Sequence, residues 1–216
     1  MKFYSELGDD RYVYENFFKF RSKPGIYLEA YAFDGIQNSS TKAFEEIGWK
    51  GILVEPVKET FDTLVSNRPK DQCVRCVLDN SEGYVTLANN TTERVKTNTL
   101  RNVIRNSGYK ALDALFLNLQ GTSTEYKVIE SLGNIPVGVL CLRTSDSAVS
   151  QTAIHNLLKS KGYKLHQKFH NREIWTGNDL ESFEMKRPLK ACAKNNFLRV
   201  LAAFLAIHLI SKIKVN

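Results

Sequence analysis

Glu29, Glu55, Asp79, Asn118 and Gln120 are the side chains whose types and spacing bear on chemistry in this chain, because each lies in or just after a short apolar run. An acid at the tip of a buried strand can hold the two hydroxyls of a ribose, and an acid beside a substrate hydroxyl can take its proton or share a divalent cation. An amide keeps the size and most hydrogen bonds of a carboxylate but does neither of the last two near neutral pH. Asn118 and Gln120 flank one turn in Asn118-Leu119-Gln120-Gly121, so general-base and metal chemistry is not expected there.

These positions are set by elements that the hydrophobic pattern predicts. Ile26, Leu28 and Ala30 make one strand face, Phe33-Asp34-Gly35 breaks it, Thr41 to Ile47 reads as a helix, and Gly51-Ile52-Leu53-Val54 is a second buried strand ending in Glu55. That is a β-α-β unit with an acid at its second strand tip. Phe61, Leu64 and Val65 predict a helix before Pro69, and Cys73 to Leu78 a third strand. Gly83 to Leu87 reads as a short strand, with a polar loop from Asn89 to Lys96. A helix around Leu100, Val103 and Ile104 precedes a strand at Leu112 to Leu117 that is apolar on both faces, as in a central parallel sheet. A helix over 122–132, a fifth strand at Val137 to Leu142, a helix over 148–161 and a hairpin turning at His170-Asn171 complete a doubly wound, mostly parallel α/β sheet closed by an antiparallel hairpin.

The run from Gly25 to Pro56, with Glu29, Ala32, Asp34-Gly35, Gly48-Trp49-Lys50-Gly51 and Glu55-Pro56, resembles the FkbM-like methyltransferases. Asn67-Arg68, the third strand and the strand ending at Leu117 fit the same pattern, and the resemblance covers residues 24–176. It implies a class I, Rossmann-like fold and S-adenosylmethionine as cofactor, held by Glu29, Ala32, Gly35, Glu55 on the ribose and Asp79 near the adenine. Asn118 and Gln120 would then face the methyl acceptor. Two departures argue against that activity. Tyr31 stands where the family has a glycine that lets the methionine part pass, and it is expected to obstruct cofactor space. Asn118 and Gln120 replace the two acids of the family's Asp-x-Glu-Gly.

Thirty Lys and Arg against 23 Asp and Glu give a net charge of +7. From Asn178 onward seven basic residues face three acidic ones, so more than half of the surplus lies in that tail, and no specific nucleic-acid surface is expected on the globular part. Cys73-Val74-Arg75-Cys76 is half a zinc motif without a second pair, so no metal is expected. Residues 1–21 carry Glu6, Asp9, Asp10 and Glu15 without an apolar core, which does not read as a secretory signal. An intracellular location is expected.

The organisation expected is an aromatic, helical extension over 1–24, the methyltransferase-like domain over 25–177, and a basic connector with an apolar helix over 178–216. Phe197 to Ile210 is nearly all apolar, but 14 residues reach only ~21 Å against ~30 Å of hydrocarbon. Packing on its own domain, burial in a protein partner and anchoring at an organellar, for example mitochondrial, membrane all remain open for the helix 197–213. An apolar run on every side favours the last two. The function expected is that of a catalytically inactive, methyltransferase-like structural subunit of a larger assembly, with no cofactor. The alternative is an active S-adenosylmethionine-dependent O-methyltransferase.

Overall fold

Alternation along the first strand sets the plan of the molecule. In the computed structural model β1 (Ile26–Ala30) sends Leu28 and Ala30 into one apolar layer and Tyr27 into the other, so the sheet is covered on both faces. The structure describes residues 1–87, 90–119, 125–143 and 148–177, all within the unit Met1–Met185. Gln120 and the tail helix 197–213 lie outside the described residues.

An α-helical turn, α1 (Asp9–Val13), runs into a π-helical turn at Tyr14–Phe18 and precedes β1. Then follow α2 (Lys42–Glu46), β2 (Lys50–Val54), α3 (Lys58–Asn67) and β3 (Gln72–Val74). Next come β4 (Val77–Leu78), β5 (Gly83–Leu87), β6 (Asn90–Asn98) and α4 (Leu100–Asn106). The chain continues through β7 (Leu112–Leu117), α5 (Glu125–Ser131), β8 (Val137–Arg143), α6 (Ala148–Ser160), β9 (Lys164–Phe169) and β10 (Arg172–Thr176). Seven strands form one sheet in the order β3-β2-β1-β7-β8-β10-β9. The pairs from β3 to β8 are parallel, and β10 runs antiparallel to both β8 and β9. All six residues of β7 are buried, as the apolar run Leu112 to Leu117 requires of a central strand.

One layer of the core holds Leu28, Ile52, Leu115 and Leu140 beneath α4, α5 and α6. The other is aromatic: Phe18, Phe44, Trp49 and Phe116 stack with ring centroids 4.8 to 6.1 Å apart, geometry that adds edge-to-face attraction to area burial. The N-terminal extension is therefore part of the core, through Val13 and Phe18.

Three details differ from the sequence-based expectation. Cys73 to Leu78 is two strands: β3 stays in the large sheet, while β4 joins a small sheet of order β4-β6-β5. Arg75 makes the break, donating from Nε to the Pro56 carbonyl at 3.2 Å and pairing with Glu93 of β6. The stretch taken for a polar loop is strand β6, antiparallel to β5; Val95 and Thr97 point inward and the rest can be polar because one face is solvated. Val65 is 45% exposed, so α3 buries Leu64 fully and Phe61 in part.

Candidate functional site

The loops that follow the parallel strands converge at one end of the sheet, where ligands bind in open α/β folds. Glu29 lies near the end of β1 on the aromatic face and is buried. Its carboxylate accepts from Ser39 Oγ at 2.8 Å, the Ser40 amide at 2.8 Å, Thr41 Oγ1 at 2.6 Å and Asn118 Nδ2 at 3.3 Å. Burial holds this carboxyl above its ordinary range, opposed by the Thr41 hydrogen bond, the Arg68 charge and the bonds from Ser40 and Ser39.

Arg68 joins that cluster to a second carboxylate. It is fully buried, donates to Asp71 at 2.9 Å, to the Gly35 carbonyl at 2.8 Å, to the Tyr27 hydroxyl at 2.8 Å and, at 3.2 and 3.3 Å, to Thr41 and Ser39. Asp71 also accepts from the Tyr27 hydroxyl and the Gly51 amide. Gly35 has φ +75°, and a β-carbon there would meet Leu64 and Arg68 side-chain atoms at 2.5 and 2.7 Å. Its place in the loop is thus structural, enforced by the guanidinium that its carbonyl receives.

Asn118 sits at the end of β7, and its two ends are used differently. Nδ2 donates to Glu29 while Oδ1 accepts from Arg172 Nη1 at 2.7 Å. A carboxylate there would gain an attraction to Arg172 and meet a comparable repulsion from Glu29, leaving its desolvation uncompensated. Asn118→Asp is therefore expected to cost about 1–3 kcal/mol at pH 8. The cost shrinks toward pH 5, because a buried acid with a raised folded pKa loses stability as pH rises through the window above its unfolded value. Urea denaturation at the two pH values checks this.

Glu55 is buried at the tip of β2, as its pattern predicts, and already holds three donors. Phe33 N donates to Oε2 at 3.0 Å, and Val57 N and Thr60 Oγ1 donate to Oε1 at 3.0 and 3.1 Å. That occupies most of the acceptor capacity of a carboxylate. The loop bringing Phe33 there is strained, with φ +58° at Tyr31, +51° at Phe33 and +57° at Asn38, a region sparsely used by residues with a side chain. Tyr31 turns its ring to the core layer beneath the other face of the sheet. Its phenol is pushed up to about 12 by burial, with Cys76, Glu55 and Asp79 nearby adding to the shift.

A cavity of about 440 Å³ remains on the same end of the sheet, lined by Glu29, Ala32, Asn118, Arg143 and Arg172 in its inner part and by residues of the 33–38 loop outside. Glu29, Ala32 and Asn118 are thus brought together; Glu55 and Asp79 do not line this space. Gln120 lies outside the described residues. Arg172 and Asp9, which complete the polar cluster through a 3.6 Å Nε–Oδ1 pair, carry no motif in the sequence. Among the described residues no group of His, Cys, Asp or Glu is arranged to hold a metal ion; Cys73 and Cys76 belong to opposite core layers.

Neither a protein-family model nor a curated protein matches the chain. Solved structures do. Aeropyrum pernix fibrillarin in complex with natively bound S-adenosyl-L-methionine is similar over 80% of this chain and 74% of that one, with a TM-score of 0.50 and 11% identity. The magnesium protoporphyrin IX methyltransferase of Synechocystis PCC 6803 with bound SAH is similar over 77% and 79%, with a TM-score of 0.50 and 9% identity. These likenesses, with the strand order above, show a Rossmann-like, class I methyltransferase fold.

Proposed function

We propose that this chain is an FkbM-like methyltransferase domain that no longer takes its cofactor and serves as a structural or binding subunit. In this reading the segment 197–213 attaches it to a protein partner or an organellar membrane within a larger assembly. The observation that carries the reading is Tyr31, whose ring packs on the core layer that includes Cys76 and whose phenol is raised by burial and, in part, by the charges of Glu55 and Asp79. In that arrangement a ribose finds a carboxylate already engaged by Phe33, Val57 and Thr60 and an aromatic ring beside it. The residues present do not fit the adenosyl group. Asn118 adds support: as an amide tied to Glu29 and Arg172, it is not a base for an acceptor hydroxyl near neutral pH.

The second reading, an active S-adenosylmethionine-dependent O-methyltransferase, draws on the open cavity beside Glu29, Ala32 and Asn118. For the ribose to reach Glu55 it also requires Tyr31 to give way. Thermal unfolding with ~1 mM S-adenosylmethionine separates the two readings. The first predicts a shift below about 1 °C, whereas a ligand at 100 times its dissociation constant stabilises by about 2.7 kcal/mol and moves the midpoint by several degrees.

Among the described residues no helix is long and apolar enough to cross a membrane, and the tail lies outside them. Attachment is tested by comparing fractionation of the full chain with that of a chain ending near Asn178. Loss of the particulate fraction on truncation is expected.

A further inference from the structure

We propose that the cavity is a binding site for a hydroxylated carboxylate of sugar-acid type, its carboxylate held by Arg143 and Arg172 and its hydroxyls by the 33–38 loop. Arg143 ends β8 and Arg172 begins β10, and the two are directly opposite in the antiparallel register. Opposed residues of such a pair project from the same face, where like charges repel, and both line this cavity.

Three other wholly or partly buried arginines of the domain hold carboxylates: Arg21 with Asp113, Arg68 with Asp71, Arg75 with Glu93. Arg172 is only partly answered. Its Nη1 reaches Asn118, but its buried Nε has no hydrogen-bond partner among the described residues, Asp9 lying 3.6 Å away. Among the described residues the half-buried Arg143 side chain makes no ion pair or hydrogen bond. A planar oxyanion in this cavity supplies the partner that Arg143 lacks and can share the edge of Arg172 that lines the space, since guanidinium forks match carboxylate geometry.

The rest of the lining selects the kind of carboxylate. Glu6 and Asp34 face the same space, which disfavours a multiply charged anion and offers acceptors to hydroxyls. Gln37 and Asn38 add amides, and Phe33, 47% exposed, adds an aromatic side chain to the lining. Phe33 is held there at positive φ by the bond from its amide to Glu55; strained positions of this kind cluster at ligand sites. About 440 Å³ is within the range of small-molecule pockets.

The test is thermal unfolding of the full chain with D-glucuronate, D-glucose or inorganic phosphate at constant ionic strength. Glucuronate at ~50 mM is expected to raise the midpoint by about 3 °C or more, with glucose and phosphate giving less than about 1 °C. Arg143→Gln should abolish the glucuronate shift, and Phe33→Ala, which leaves both arginines in place, should reduce it by about half. No shift with glucuronate overturns the proposal, as does an equal shift with glucose or phosphate, or an undiminished shift in the Arg143→Gln variant.

Discussion

Replacing Arg68 by alanine is expected to lower the free energy of unfolding by about 3–5 kcal/mol, the range for removing one partner of a buried ion pair. The guanidinium is fully buried and spans Asp71, Tyr27, Thr41, Ser39 and the Gly35 carbonyl. Its loss leaves the Asp71 and Glu29 carboxyls without the positive charge that now opposes their desolvation. Against a typical total of about 5–15 kcal/mol, such a loss endangers the fold itself. The pH dependence has a definite sign. Burial raises the folded pKa of both acids, so each contributes least above that value, and the contribution returns as pH falls toward the ordinary carboxylate range. Without Arg68 both rise further, and the deficit is largest near pH 8 and smaller near pH 5. Urea midpoints for parent and variant at the two pH values measure it; a deficit that grows on acidification contradicts the account.

The second large effect is a gain. Tyr31→Gly is expected to turn a chain without measurable affinity for S-adenosylmethionine into one that binds with a dissociation constant on the order of 10⁻⁴ M, about −5.5 kcal/mol. Two terms set the size. Removing the ring frees the volume it takes on the core layer that includes Cys76 and relieves a left-handed backbone at φ +58°, worth about 1 kcal/mol for a residue with a side chain. Glu55 remains engaged by Phe33, Val57 and Thr60, which keeps the affinity modest. The fold loses the packing of a partly buried aromatic against the core, so a net destabilisation of about 1–2 kcal/mol accompanies the gain. Tyr31→Phe keeps the ring and is the control: it should bind no better than the parent.

The sheet was legible because its strands are short apolar runs separated by turn residues, and because β7 is apolar on both faces. Glu29, Glu55 and Asn118 could be placed at strand ends for the same reason. What the pattern does not carry is which side chain meets which across the fold. Arg172 and Asp9 come from opposite ends of the described chain and meet only because β10 inserts beside β8. Asn67-Arg68 stood out only as part of a family pattern, and nothing local shows that Arg68 reaches Tyr27, Gly35 and Asp71. The split between β3 and β4 was hidden because Cys73 to Leu78 reads as one strand, whereas the break depends on Arg75 reaching Pro56 and Glu93. Strand β6 was hidden by polar composition, although its β-branched Val95 and Thr97 suit a half-solvated strand.

The most direct measurement is calorimetric titration of the full chain with S-adenosylmethionine, run beside Tyr31→Gly. The parent is expected to give no heat of binding at millimolar cofactor and the variant a saturable isotherm. Micromolar binding by the parent would contradict it and leave the cavity beside Glu29, Ala32 and Asn118 as the site of an active methyltransferase.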